Sequence, residues 1–423
     1  MLEIAVLRTN AESVKQRLAV KNFKEMNLVD EVLAVDENRR NIQKQLDDNL
    51  ARQNAIAKEI GDLFKQGKKD EAEQRKQETA LLKEDSKNLE AELSKLEYEQ
   101  RDILVRIPNL PSASVPKGNS PEENEVVKQA GEIPALSESA LPHWDLAKKY
   151  DLFDLELGVK ITGAGFPVYK GKGAKLQRAL ISFFLDNAIE AGYTEVIPPH
   201  IVNEDSAFGT GQLPDKEGQM YHIGLDKFYM IPTAEVPVTN IVRDEILDEK
   251  KLPLKFAAYS PCFRREAGSY GKDVRGLNRV HQFDKVEIVQ VVHPDRSYSV
   301  LEEMAAHVEG LLKKLELPYR ILRLCGGDMS FASALTYDFE VYSTAQKRWL
   351  EVSSVSNFET FQSNRMKVRF RDENKKTRLV HTLNGSALAL PRIVASLLEN
   401  HQTENGIRIP AALKPYTGFD FIV

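Results

Sequence analysis

Apolar residues recur at alternating steps of four and three from Leu28 onward, at Leu28, Val32, Val35, Ile42, Leu46, Ile56, Ile60 and Leu63. That spacing is a heptad seam, and the polar members Arg39, Asn49 and Gln53 are of the kind that fixes register at some cost in stability. The run QGKKD, Gln66 to Asp70, breaks the pattern with Gly67 and charge, as a tight helix-to-helix turn does. A second seam follows at Leu82, Leu89, Leu93, Leu96 and Ile103, with Thr79, Ser86 and Gln100 as its polar members. Two such stripes joined by a short turn cover each other by folding back. The spacing therefore predicts an antiparallel helical hairpin over about residues 27–104, with helices of roughly 35 residues extending about 50 Å at 1.5 Å per residue. From Asn27 to Leu104 there are 14 Lys and Arg against 19 Asp and Glu, so the hairpin has no continuous basic stripe. Positive charge gathers only at Arg39, Arg40, Lys44 and Arg52 and around the turn at Lys65, Lys68, Lys69, Arg75 and Lys76. The pattern alone fits a dimerisation coiled coil or a spacer as well as an RNA-directed arm.

Beyond Ile107 the composition shifts to Pro, Ser and Gly in PNLPSASVPKGNSPEENE, which reads as an extended linker over 108–142 between an N-terminal domain (1–107) and a second domain (143–423). In the second domain helical patterns mix with short alternating strands and lack a regular strand-helix-strand repeat. An α+β fold on an antiparallel sheet flanked by helices is expected. The net charge of −5 excludes a uniformly basic surface, so any nucleic-acid contact must be local. No apolar run is long enough to cross a bilayer, and MLEIAVLRTNAESVKQRL lacks the layout of a signal peptide, so a cytoplasmic location without membrane contact is expected. Cys262 and Cys325 form no CxxC pair and read as buried small apolar groups.

The densest chemistry lies between Cys262 and Glu287, CFRREAGSYGKDVRGLNRVHQFDKVE, flanked by two runs with strand alternation. A hairpin here brings Arg264, Glu266, Arg279, Phe283 and Glu287 onto one sheet. Guanidinium groups suit phosphate oxygens, a carboxylate suits an exocyclic amine, and a Phe face suits a base. A solvated surface hairpin is the plain alternative. In FYMIPTAEVPVTN, Glu235 ends an apolar strand and needs a partner if buried, which an internal Lys or Arg would supply. In WLEVSSVSNF, Glu351 and the hydroxyls of Ser353 and Ser354 are hard oxygen donors on a strand, suited to Mg²⁺ or simply to solvent. Lys175 to Ala191 reads as a helix stopped by Gly192, with a short strand TEVIPPH after it. LNGSALALPRIVASLLENHQ runs from strand into helix, with Pro391 tolerable only at a first turn or a kink.

These segments, in this order, resemble the three motifs of class II aminoacyl-tRNA synthetases. The helix and strand ending at Pro199 resemble motif 1, FRREAGSYGKDVRGLNRVHQF motif 2, and the stretch reaching Arg392 motif 3. Ala387 stands where the family has the second glycine of motif 3. The form of motif 2, the TAE triplet Thr233, Ala234 and Glu235, the EVSS strand and the N-terminal hairpin together resemble the bacterial-type seryl-tRNA synthetase family over essentially the whole chain.

The resemblance implies ATP as a substrate bound by Arg264, Arg265, Glu266, Val280, Phe283, Glu351, Val352, Ser353, Ser354 and Arg392. It implies Mg²⁺ on Glu351 and Ser354, and L-serine bound by Thr233, Ala234, Glu235, Glu287, Asn384 and Ser386. Arg264, Arg392 and Glu351 would carry the catalytic charge. The implied partners are tRNA(Ser), with tRNA(Sec) left open, and a second copy of the chain in a homodimer built on motif 1. The loop AGSYGKDVRG would meet the tRNA acceptor end. Two rivals are a ligase acting on a carrier protein, against which the hairpin speaks, and a non-enzymatic coiled-coil protein on a dead core, against which the intact Arg264, Glu266, Glu351 and Arg392 speak.

Overall fold

The computed structural model describes residues 1–136, 140–215, 217–267 and 275–423, and these divide into two compact units. The first comprises residues 1–19 and 23–108. Two short helices, Ile4–Thr9 and Ala11–Val20, precede two long ones, Asn27–Lys65 and Lys69–Arg106. At 1.5 Å per residue each long helix extends almost 60 Å. Gly67 turns the chain between them at φ +76°, a left-handed conformation that favours glycine.

The polar seam residues meet across the hairpin. Gln53 Nε2 donates to Ser86 Oγ at 2.6 Å, to the Leu82 carbonyl at 3.0 Å and to Asn49 Oδ1 at 3.0 Å. Nearer the base, Gln100 Nε2 donates to Asp36 Oδ1 at 2.9 Å. The Asp36 side chain is fully buried, and Arg8, Arg39 and Arg40 converge on it at 3.2, 3.5 and 3.1 Å. Each layer accepts only one register, because a slip leaves buried polar atoms without partners.

The second unit holds residues 20–22 and 109–423. Its centre is an eight-stranded sheet of β1 (Glu125–Ala130), β2 (Thr194–Glu195), β3 (Leu254–Phe263), β4 (Gln282–Val292), β5 (Tyr319–Arg323), β6 (Leu335–Ser343), β7 (Arg348–Asn357) and β8 (His381–Ala389). They lie in the order β1-β5-β6-β7-β8-β4-β3-β2. All ladders are antiparallel except β2 with β3. Helices Gly171–Glu190, Ser297–Lys314 and Leu390–Asn400 supply much of the main core, where Leu176, Leu180, Phe184, Leu301, Met304, Val308, Ile393 and Leu397 join Val286 and Ile288 of β4 and Val355 of β7. The expected α+β architecture and helical hairpin are thus both present.

Two expectations change. Residues 109–142 are part of the second unit: β1 forms an edge of its sheet, and Asn109 Nδ2 donates to the carbonyls of Ala332 and Phe358. An edge strand tolerates exposed and charged residues, so EVVKQA carries little apolar signal inside a Pro- and Ser-rich stretch. The strand after Gly192 covers only Thr194–Glu195, since Pro198 and Pro199 offer no N–H to extend a ladder.

Replacing Asp36 with Leu should lower the stability of the hairpin by about 2 kcal/mol, read as the shift in its urea transition followed by circular dichroism. The three guanidinium groups can turn to water, which keeps the loss below that of breaking a sealed ion pair.

Candidate active site

Side chains on a strand alternate, so β4 sends Val286 and Ile288 into the core and Phe283, Lys285 and Glu287 to the opposite face. That face floors a cavity of about 640 Å³. β3 pairs with β4 from Phe263–Gln282 onward, and a further bond from the Arg264 N–H to the His281 carbonyl extends the hairpin. Arg264, Glu266 and Arg279 therefore lie beyond the strand ends and not on the sheet itself, yet all three line the cavity.

Of the residues expected at a site, Thr233, Glu235, Arg264, Glu266, Val280, Phe283, Glu287, Glu351, Ser354, Asn384, Ser386 and Arg392 share this one cavity. Four do not reach its wall. Ala234 packs in an apolar cluster with Val238, Ala258 and Val289. Arg265 is placed by its N–H, which donates to the Gln219 carbonyl. Val352 is in the main core, and the Ser353 hydroxyl donates to the Ser386 carbonyl at 2.6 Å. The reason for the last two is a bulge. β7 pairs Ser353 with Phe339 but Glu351 with Glu340, so Val352 is an extra residue and the alternation inverts. Glu351 and Ser354 then share the cavity face that strict alternation would give to Glu351 and Ser353.

The floor is a set of buried charges. Lys285 Nζ lies 2.5 Å from Glu287 Oε2 and donates to Thr233 Oγ1 at 2.7 Å. The Thr233 hydroxyl in turn donates to Glu287 Oε2 at 3.2 Å. Lys285 was not among the expected residues, although it stands two positions from both Phe283 and Glu287 and the alternation already puts it on their face. Glu235 Oε1 accepts from Gln362 Nε2 at 2.7 Å, and Thr382 fixes that amide by donating to its Oε1 at 2.7 Å. Gln362 belongs to the helix Phe361–Met366, outside every motif, and no sequence signal points to it. Burial, with the Glu287 carboxylate nearby, pushes the Glu235 carboxyl up to about 7.

The other half of the cavity is cationic and aromatic. Arg264 rests over the Phe283 ring, 5.2 Å from its centroid, and its Nε donates to the Pro232 carbonyl at 3.3 Å. Glu266 has a left-handed φ of +49° and pairs with Arg279. Such a backbone costs about 1 kcal/mol or more in a non-glycine residue and is common at ligand sites. Arg392, in the first turn of the helix Leu390–Asn400 beside Pro391, donates from Nη1 to the Glu351 carbonyl at 2.7 Å. Two buried polar atoms on the wall, Asn384 Nδ2 and Asn278 Oδ1, have no hydrogen-bond partner among the described residues. The loop expected to meet a tRNA end falls mainly on residues 268–274, outside the described residues.

Glu351 and Ser354 supply hard oxygen donors on the cavity wall, and the buried Asp338, across the ladder from Ser354, has no hydrogen-bond partner for Oδ1 among the described residues. Burial and the Glu351 charge raise the Asp338 carboxyl well above the ordinary range, so it holds its proton behind the cavity wall and the oxygen donors that reach the cavity are Glu351 and Ser354. This donor set fits Mg²⁺, which binds few protein oxygens and completes its shell with phosphates and water.

An antiparallel sheet whose face joins arginines, a stacking ring and buried carboxylates matches the family model "tRNA synthetase class II core domain (G, H, P, S and T)" over residues 222–401. Residues 1–111 match the model "Seryl-tRNA synthetase N-terminal domain". A serine–tRNA ligase of Salinibacter ruber is 53% identical over 421 residues, covering 99% of this chain and 98% of that protein. Among solved structures, seryl-tRNA synthetase from Pyrococcus horikoshii complexed with ATP superposes with a TM-score of 0.92 at 36% identity, covering 100% of this chain and 99% of that one. The cytoplasmic serine–tRNA ligase from Naegleria fowleri in complex with AMP gives 0.88 at 27%, covering 100% and 98%. The core is that of a class II aminoacyl-tRNA synthetase. Within that class, the chain belongs to the seryl-tRNA synthetase family.

The folded protein holds the Glu235 proton more tightly than the unfolded chain, whose carboxyl titrates near 4.5. Its ionisation therefore opposes folding, with no cost below about pH 4.5, a growing cost up to about pH 7 and a constant one above. Glu235→Gln should raise the thermal midpoint at pH 8, by an amount worth about 3 kcal/mol, and leave it unchanged at pH 4, measured by calorimetry.

Proposed function

We propose that this protein is a serine–tRNA ligase, which joins L-serine to ATP as seryl-adenylate and then passes the seryl group to the 3′-end of tRNA(Ser). The observation that carries this reading is the cavity floor: a buried carboxylate, Glu235, stands beside a Thr233–Lys285–Glu287 set and below the Arg264, Phe283 and Arg392 half.

In this reading the serine ammonium meets Glu235, and the serine hydroxyl reaches Glu287, Ser386 and the unpaired Asn384 amide. Alanine would leave those groups without a partner, at about 1–3 kcal/mol each, and the small pocket rejects threonine by size. Adenine lies between Phe283 and Arg392, with Val280 as a wall and the Glu266 carboxylate at its amine edge. A base on the outer face of Phe283 moves Arg264 from that ring toward the α-phosphate. The serine carboxylate then attacks the α-phosphorus, the new C–O–P bond forms, and pyrophosphate leaves with the bonding electron pair. The side chains do little covalent work. Alignment and neutralisation of the developing negative charge supply the rate, from Arg264, Arg392 and Lys285. Mg²⁺ held by Glu351 and Ser354 would add further charge neutralisation on the phosphates.

The first unit is the tRNA-binding arm, and the homodimer rests on the motif 1 segment. Support for the latter is the apolar exposure there, with Ile197 87% accessible and Ile201 45%.

ATP–pyrophosphate exchange should depend on serine, and Lys285→Met should lower its kcat by about 100-fold. Exchange driven by threonine or proline and not by serine would sink the reading. Removing residues 27–104 should keep exchange within about threefold and abolish charging of tRNA, because the second unit has its own core. Undiminished charging by the shortened protein would make the arm a spacer.

A further inference from the structure

The helix Leu390–Asn400 carries Arg392 in its first turn and Glu399 near its end, seven residues apart and so on one face. The segment Leu277–Asn278, ahead of β4 in the chain, is strapped along that face. At one end Arg392 Nε donates to the Asn278 carbonyl at 3.0 Å. At the other stands His143, the first residue of the helix His143–Tyr150, whose side chain is wholly buried.

Glu399 Oε1 lies 2.7 Å from His143 Nδ1 and accepts the His143 backbone N–H at 3.0 Å, while the Ser343 hydroxyl donates to Oε2. His143 Nε2 accepts the Leu277 N–H at 2.8 Å. A backbone amide only donates, so Nε2 carries no proton. The single proton of the neutral ring is therefore on Nδ1, directed at Glu399.

A second tether runs in parallel. Gln346 Nε2 donates to Glu399 Oε1 at 2.9 Å, and Gln346 Oε1 accepts from Asn278 Nδ2 at 2.9 Å. The backbone passes the imidazole at contact distance: Gly276 has φ +63°, and a Cβ there would lie 2.1 Å from His143 Nε2. Leu277, Asn278, Arg279 and Val280 all line the cavity on the ATP side of the proposed site.

We propose that His143 is a positioning residue for ATP, acting as a buried neutral imidazole that, oriented by Glu399, sets the 277–280 wall and, through the Asn278 carbonyl, the Arg392 guanidinium. His143 does not line the cavity. Its effect falls on the nucleotide half, because the serine half is held separately by Gln362, Thr233 and Lys285. This inference rests on the ATP part of the proposed function.

The test is ATP affinity by titration calorimetry on the full chain, alongside the KM for serine in pyrophosphate exchange. His143→Leu should weaken ATP by about tenfold or more, as expected for a buried amide left unpaired, and change the serine KM by no more than about twofold. His143→Gln, whose Oε1 can accept the Leu277 N–H, should recover ATP affinity to within about threefold of the parent. Equal ATP affinity in His143→Leu overturns the proposal, as does equal weakening of ATP and serine with no recovery in the Gln variant. If His143→Leu does not fold, Gln346→Leu decides, with a severalfold loss of ATP affinity expected and none overturning it. ATP binding that responds to these variants without serine-dependent exchange would remove the serine reading and leave the positioning role in place. Failure of the parent protein to bind ATP would remove both.

Discussion

Side-chain alternation along β4 is the constraint on which the second unit depends. One strand must anchor the apolar core through Val286 and Ile288 and floor a charged cavity through Phe283, Lys285 and Glu287. Burying a lysine and two carboxylates so close to that core is tolerable only because Lys285, Glu287 and Thr233 satisfy one another while Gln362 holds Glu235. The neighbouring strands repeat the arrangement. Glu287 lies opposite Ser386 on β8, so groups far apart in sequence meet across the ladder with little side-chain freedom left to lose.

Much of this was legible in the chain. Heptad spacing marked both helices of the hairpin and the polar members Gln53, Ser86 and Gln100, because period there follows from local sequence, whereas Asp36 lies off the expected seam. The residues of the cavity were reached through the resemblance of their segments to known motifs, since chemical type alone left a solvated surface as an equal alternative. What escaped has a physical reason in each instance. Lys285 was hidden inside a run that looked like ordinary polar alternation. Gln362 and His143 act from elements whose sequence carries no motif, and only tertiary contact brings them to Glu235 and Leu277. β1 was concealed by its edge position, where apolar patterning is not required.

The two units also solve different polar problems. In the hairpin, the Gln53–Ser86 layer and the Asp36 cluster specify one register between long stripes that would otherwise slide. In the second unit, two buried polar atoms on the cavity wall, Asn384 Nδ2 and Asn278 Oδ1, have no partner among the described residues. Unmet hydrogen-bonding capacity costs stability and is expected where a ligand completes the set.

The extra residue in β7 bears on how this chain can vary. Val352 shifts the count by one, so Ser354 looks into the cavity and Ser353 into the protein. Loss of that one valine from the gene would remove the bulge and leave a regular ladder, with Ser353 still turned to the protein and Ser354 to the cavity. The insertion lets Val352 and Ser353 both face the protein while the oxygen donors on either side keep the cavity face. One residue could be lost from the strand here at the cost of core packing alone.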